Sequence, residues 1–287
     1  MTKNGRDRLP ALLKSVVGFC DLAVVLDTGS TDGTQEFLKK QTTLPVRLHE
    51  APFVDFGTSR SLGMSLAKDS ADWLVLLDDD MSLQFTDTPE EVKDRLSEQL
   101  SPCYLLRVDQ NTTYWNTRVV SGHQDWHYIG VTHEYLDRSI GALKLEGVTI
   151  KHDYNHGPGK FERDARLLSA DIARDPDNPR TIFYLAQTFR DQGRLLAAIR
   201  YYELRARMGG WDEEVYFSMY ESSRLARDPK AMQQAFEYRP SRAEPAAWLR
   251  DYYQSQGQPE LAARWEETRK KLPLPNDILF VSVSCYG

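Results

Sequence analysis

The sequence predicts an α/β domain followed by an α-helical domain, and three observations carry that expectation. Up to about residue 155, short apolar runs alternate with helical patterns, the texture of βαβ units. Two of the runs stop abruptly at carboxylates: Val24-Val25-Leu26-Asp27 and Trp73-Leu74-Val75-Leu76-Leu77-Asp78-Asp79-Asp80. From Gly159 onward strand patterns nearly vanish. Helical segments then follow one another, broken by Asp175-Pro176-Asp177-Asn178-Pro179, Gly209-Gly210 and Asp228-Pro229. The change falls near His156-Gly157-Pro158-Gly159, so the expected domains are 1–156 and 157–287.

In chain order the first domain reads as helix over residues 9–17, strand over 23–26, helix over 34–40, strand over 46–49, helix over 57–68 and strand over 73–77. A short apolar run bounded by turn residues is the pattern of a parallel strand buried on both faces. An open α/β sheet places its ligand outside the carboxyl ends of its strands. The two acidic strand ends therefore mark the expected site.

In the helical part, residues 181–202 place small and aromatic side chains at Ala186, Phe189, Gly193, Ala198 and Tyr202. That spacing resembles the tetratricopeptide pattern, in which small residues let paired helices approach closely. A weaker copy runs through Trp248, Leu249, Tyr252, Tyr253, Gly257, Ala262, Ala263 and Trp265. A generic helical bundle is the plainer alternative.

Composition narrows the class. With 41% apolar and 27% charged residues, the 287-residue chain has the make-up of a folded soluble protein of one large or two modest domains. A net charge of −6 argues against a general, charge-driven nucleic-acid binder. The cysteines, Cys20, Cys103 and Cys285, are too scattered for a disulfide framework or a zinc site, which fits a reducing compartment. No stretch approaches the roughly 20 apolar residues of a membrane span, and the first residues lack the apolar core of a signal peptide. The expectation is a cytoplasmic protein.

Asp27 ends a strand ahead of Thr28-Gly29-Ser30-Thr31-Asp32-Gly33-Thr34, a polar turn leading into a helix. A buried carboxylate there can accept from the N–H of a uracil or from a ribose hydroxyl; Thr31 or Asp32 also suits helix capping. In Asp78-Asp79-Asp80, residues 78 and 80 share one side of an extended chain and residue 79 points away. Hard oxygen donors at that spacing suit Mn²⁺ or Mg²⁺, which neutralises a diphosphate. An acidic surface turn is the alternative.

The ordered set Val25-Leu26-Asp27-Thr28-Gly29-Ser30-Thr31-Asp32-Gly33-Thr34, Phe56-Gly57-Thr58-Ser59-Arg60-Ser61 and Leu76-Leu77-Asp78-Asp79-Asp80 resembles a family 2 glycosyltransferase of the GT-A fold. Gly130-Val131-Thr132-His133-Glu134-Tyr135-Leu136 and the helical part from Lys160 resemble the subgroup with tetratricopeptide-like repeats. The resemblance implies a Rossmann-like nucleotide-diphospho-sugar transferase domain. Its activity would be inverting, metal-dependent transfer of a sugar from a nucleoside diphosphate donor, a UDP-sugar by expectation. The acceptor hydroxyl would belong to a saccharide, a protein or a hydroxylated DNA base.

Carried over by residue, the resemblance makes Asp27, Asp32, Arg60, Asp78 and Asp79 the donor-binding set. Asp27 would hold the base, and Asp78 the ribose or a metal-bound water. Asp80 would bind the metal, with His152 as a further ligand and His156 as its competitor. Glu134 or His133 would be the base that activates the acceptor, since the family's second acidic cluster has no clear copy here. Tyr114, Trp115, Trp126 and Tyr128 would face the acceptor. Arg107, Arg118 and Lys151 are too few to assert a path for DNA.

Two features depart from the family. The chain reaches Lys3-Asn4 after two residues, so the first strand of the sheet is expected to be missing or short; the alternating run over residues 277–287 is a candidate replacement. Ser61 stands where the family often has Asn. Two other classes compete with the glycosyltransferase reading: a nucleotidyltransferase, for which a Gly- and Lys-rich phosphate loop is wanting, and a non-catalytic scaffold that binds through its helical repeats.

Overall fold

The computed structural model describes residues 1–109, 113–153, 159–275 and 280–286. The chain divides into two compact units, Met1–Pro158 and Gly159–Gly287.

The first unit runs α1 (Leu9–Ser15), β1 (Ala23–Asp27), α2 (Thr34–Lys39), β2 (Val46–Glu50), α3 (Phe56–Ala67), β3 (Trp73–Val75), β4 (Met81–Phe85), α4 (Pro89–Ser97), β5 (Cys103–Asp109), β6 (Thr113–Ser121), β7 (Tyr128–Ile129), β8 (Tyr135–Leu136) and β9 (Leu143–His152). Asp55 starts α3 by accepting from Thr58 N at 2.6 Å, and Thr88 starts α4 in a reciprocal capping box with Glu91. Val25, Leu38, Met81, Leu83, Val92, Leu106, Val108, Val119 and Ile150 form one buried cluster joining the helices to the sheets.

The strands do not make a single parallel sheet. β1 and β2 pair in parallel as a two-stranded unit, while β3-β6-β5-β9-β4 form a five-stranded mixed sheet in which β3 lies antiparallel to β6. Reading residues 73–77 as a buried parallel strand is thus corrected: Trp73 to Val75 pair antiparallel, and every residue of β3 is half-buried. Apolar character alone does not distinguish the two pairings.

Ahead of α1, the described residues give β1 a single parallel rung. Thr2 bridges Asp27 in parallel, donating its N–H to Leu26 O at 2.9 Å and accepting from Thr28 N at 2.9 Å. A cavity of about 620 Å³ lies against Val24 and Leu26 of β1, Trp73 and Val75 of β3, and Arg60 and Met64 of α3. The run over residues 277–287 does not extend this sheet where it is described. Residues 283–285 form a 3-10 turn, and Phe280 stacks on Phe217 within the second unit, an aromatic burial that outweighs the β-propensity of the run. Residues 276–279 lie outside the described residues.

The second unit is helical where described: α5 (Lys160–Arg174), α6 (Pro179–Asp191), α7 (Leu195–Arg207), α8 (Asp212–Ala226), α9 (Pro229–Tyr238), α10 (Glu244–Ser255) and α11 (Pro259–Lys270). Each helix packs on the next in sequence. The small residues work as expected: Ala186 and Ala198 are fully buried between α6 and α7, and Gly193 takes the left-handed turn between them at φ +73°. Ala262 of α11 is buried likewise. No described helix is long and apolar enough to cross a membrane.

Candidate active site

The site gathers around Arg60, on the second turn of α3. Gly57, one residue into that helix, lets α3 approach the loop carrying Glu134, because a Cβ there would stand 2.3 Å from Gly130 O. Ser61 stitches the same helix to β7, accepting from Tyr128 N at 2.9 Å. Arg60 is thereby held against two carboxylates, with Nη2 2.6 Å from Asp78 Oδ1 and Nε 2.7 Å from Glu134 Oε1. The Tyr128 ring lies 5.6 Å from its guanidinium carbon.

The two carboxylates respond in opposite directions. Burial by itself would raise the Asp78 pKa, but Arg60 and Arg118 outweigh it and bring it down to about 2. For Glu134 burial wins over Arg60, and its carboxyl is held above the usual range. Arg118 Nη1 stands 3.6 Å from Asp78 Oδ2 and donates to Leu76 O, a bracing role that sequence reasoning did not give it.

The three consecutive aspartates take separate partners. Asp79 accepts from Thr2 Oγ1 at 2.6 Å and from Arg8 Nη2 at 2.9 Å, so it ties the N-terminal residues to this turn. Asp80 faces His152 at the end of β9, with Nε2 3.3 Å from a buried Oδ1 that has no well-aligned hydrogen bond. Burial, together with Asp78 and Asp79, holds the Asp80 pKa above its ordinary value although His152 opposes the shift.

Asp27 is fully buried at the end of β1, where Oδ1 accepts from the N–H groups of Gly29 and Ser30 at 2.8 Å each. Burial pushes its pKa up, but the bonds from Ser30, Gly29 and Gln35 prevail and lower it. Asp32 accepts from Thr34 N and Arg6 N, tying the turn to the N-terminal residues; the N-cap of α2 is Gly33, with no side-chain cap, so neither Thr31 nor Asp32 takes the capping position. His133 is exposed in the left-handed region at φ +51°, and its turn presents Glu134 to Arg60. His156 lies outside the described residues.

Trp126, expected to face an acceptor, is 4% exposed and packs with Met64, Cys103, Val120 and Leu136. Tyr114 and Ile129 are exposed. Arg107, Arg118 and Lys151 each face a carboxylate, of Asp109, Asp78 and Asp153 respectively.

A divalent ion can be tested against these donors. Among the described residues no three His, Cys, Asp or Glu side chains converge as a metal cage. Mg²⁺ and Mn²⁺ are nonetheless often held by one or two side chains plus substrate phosphates. The buried, imperfectly satisfied Oδ1 of Asp80 beside His152 fits that smaller protein share.

No known protein-family model matches this chain, and no curated protein matches it. Solved structures that match include the crystal structure of MamA, at 22% identity and a TM-score of 0.34 over 38% of this chain and 67% of that one. MamA AMB-1 matches at 17% identity and a TM-score of 0.32 over 37% of this chain and 61% of that one. The chain thus spans about two thirds of the MamA chains it resembles, and similarity this low carries no functional argument. The family 2 glycosyltransferase resemblance is corrected accordingly: no family model supports it, and the separate β1-β2 pair departs from the continuous sheet it implied. Short apolar runs ending in carboxylates recur across α/β chains, and their order along this sequence is insufficient to fix a family.

Proposed function

We propose that Met1–Pro158 transfers a glycosyl group from a nucleoside diphosphate sugar, a UDP-sugar by preference, to an acceptor hydroxyl. On this reading the unit is a variant of the GT-A type of nucleotide-sugar transferase. The observation that carries it is the pair of carboxylates tuned apart on one guanidinium: Asp78 ionised and Glu134 shifted upward beside it. Carboxylates pushed apart in this way at one centre are a recurring feature of acid–base sites.

In this scheme the buried carboxylate of Asp27 accepts from the nucleobase N–H, and the turn that follows it receives the ribose. Asp80 and His152 supply the protein share of a Mn²⁺ or Mg²⁺ site; the ion, when bound, neutralises the diphosphate. Arg60 fixes Asp78 and keeps Glu134 oriented. Glu134, with its raised pKa, takes the acceptor's proton at Oε as the acceptor oxygen attacks the anomeric carbon, the bond from that carbon to the diphosphate oxygen breaks, and the nucleoside diphosphate leaves with the bonding pair.

The experiment is thermal stabilisation across a panel of nucleoside diphosphate sugars, each with and without Mn²⁺, on the wild type and on Asp80→Asn. A shift with one donor that requires Mn²⁺ and disappears in Asp80→Asn supports the reading. No shift with any donor, from protein whose melt is cooperative, overturns it.

A further inference from the structure

The second unit holds a segment of its own chain in a manner suited to peptide recognition. Residues 280–286 lie against alternating helices: Phe280 stacks on Phe217 of α8 with ring centroids 4.5 Å apart and meets Phe183 of α6 edge-on at 5.5 Å. Arg242, 2% exposed just before α10, donates Nη2 to Phe280 O at 2.8 Å. Glu244, the first residue of α10 and equally buried, accepts from Ser282 N at 3.0 Å and from the Tyr286 hydroxyl at 3.0 Å. Ala243 N donates to that hydroxyl at 3.1 Å, and Arg269 of α11 donates to Cys285 O at 2.9 Å.

Three of these bonds go to main-chain atoms, which every peptide has. Their protein partners are built in advance: Arg242 is set by Glu213 at 3.0 Å and by Glu244 at 3.1 Å, and Tyr216 donates to Glu244. The segment itself is lightly held at its middle, where Val283 is 60% exposed. Phe280 sits at φ +56°, a conformation that costs a bulky residue energy and is kept only by its surroundings. Preformed buried donors and acceptors facing a strained strap that is half-buried at both ends and exposed at residues 282–284 are the features of a site with a replaceable occupant. A structural cap would bury its own middle.

We propose that the face formed by α6, α8 and the start of α10 binds an extended peptide segment of a partner protein. The segment carries an aromatic side chain for the Phe183–Phe217 pocket and a hydroxyl-bearing aromatic six residues on for Glu244, and residues 280–286 occupy the site in its absence. The aromatic ring supplies the anchor, while Arg242, Glu244 and Arg269 read a carbonyl, an amide and a carbonyl along the backbone. The strap and the partner compete, so the strap lowers the apparent affinity by the fraction of time the site is open.

The test uses the full chain and a fluorescent synthetic peptide of residues 276–287, read by anisotropy. Phe280→Ser in the chain loosens the strap and is expected to raise the peptide's affinity about tenfold over wild type, the ratio a single lost anchor contact supplies. A peptide with the same Phe replaced by Ser is expected not to bind. Equal affinity for wild type and Phe280→Ser, or equal binding of both peptides, overturns the proposal. So does failure of Phe280→Ser to fold by circular dichroism, since the segment would then be part of the core. Hydrogen exchange on the wild type gives a second reading: the Ser282 amide should exchange before those of α8, and equal protection contradicts a replaceable strap.

Discussion

Replacing Arg60 with Gln removes the cation in direct contact with both Asp78 and Glu134, and leaves Arg118 at 3.6 Å from Asp78. The guanidinium stands 2.6 and 2.7 Å from them, and the three side chains are 17%, 21% and 14% exposed, so water screens the group weakly. At an effective dielectric of about 20, unit charges about 4 Å apart attract by roughly 4 kcal/mol, and the desolvation of all three ions offsets part of that. Stranding buried carboxylates by deleting their partner costs about 3–5 kcal/mol, which is the loss expected for Arg60→Gln at pH 7. The pH dependence follows from Asp78. Its folded pKa is depressed, so its contribution to wild-type stability is complete above the unfolded value of about 3.9 and is lost as pH falls from there through about 2. In Arg60→Gln both carboxyls take up protons on acidification and the penalty is relieved. Urea unfolding at pH 7 and pH 3, followed by tryptophan fluorescence with m unchanged, should show a gap that narrows in acid. A loss below about 1 kcal/mol at pH 7, or the same loss at both pH values, would refute the buried-hub reading.

Three other perturbations probe neighbouring parts of the argument. Gly57→Ala should destabilise by about 1–3 kcal/mol, since the new Cβ meets backbone at Gly130 O, while Gly63→Ala in the same helix meets nothing and should stabilise by about 0.5–1 kcal/mol; paired thermal melts compare them. Thr88→Ala breaks the α4 capping box and should cost about 1 kcal/mol by urea titration. His123 bonds Asp72 and Asp69 through its two ring nitrogens, and these partners raise its pKa above the usual histidine value. Its contribution to stability is therefore complete below the unfolded value and lost as pH rises through the raised one, and an NMR titration of the ring protons should show a midpoint above that of a free histidine.

Local structure in the first unit was legible because its signals are local. The strands expected over 23–26 and 46–49 and the helices expected over 34–40 and 57–68 lie at Ala23–Asp27, Val46–Glu50, Thr34–Lys39 and Phe56–Ala67. Pairing was not legible: β3 carries the same apolar run whether its neighbour is parallel or antiparallel, and nothing near residue 75 announces that its partner is Val119. The site was readable as residue types but not as partners. Asp78, Asp79 and Asp80 look like one acidic motif in sequence, yet each answers to groups 18 to 77 residues away, chosen by the fold: Arg60, Thr2 and His152. The second unit shows the same limit, since the alternating run near residue 280 has a strand's pattern but meets an aromatic pocket that its own local propensity does not encode.

The most direct test of the proposed function is an NMR titration of the ¹⁵N-labelled chain with UDP and Mg²⁺. The account predicts saturable shifts at Asp27, Gly29 and Ser30, at Asp78 to Asp80, and at the Arg60 Nε–H, with those at Asp80 and His152 requiring the metal. Shifts confined to the helical unit, or none at millimolar UDP, would contradict it.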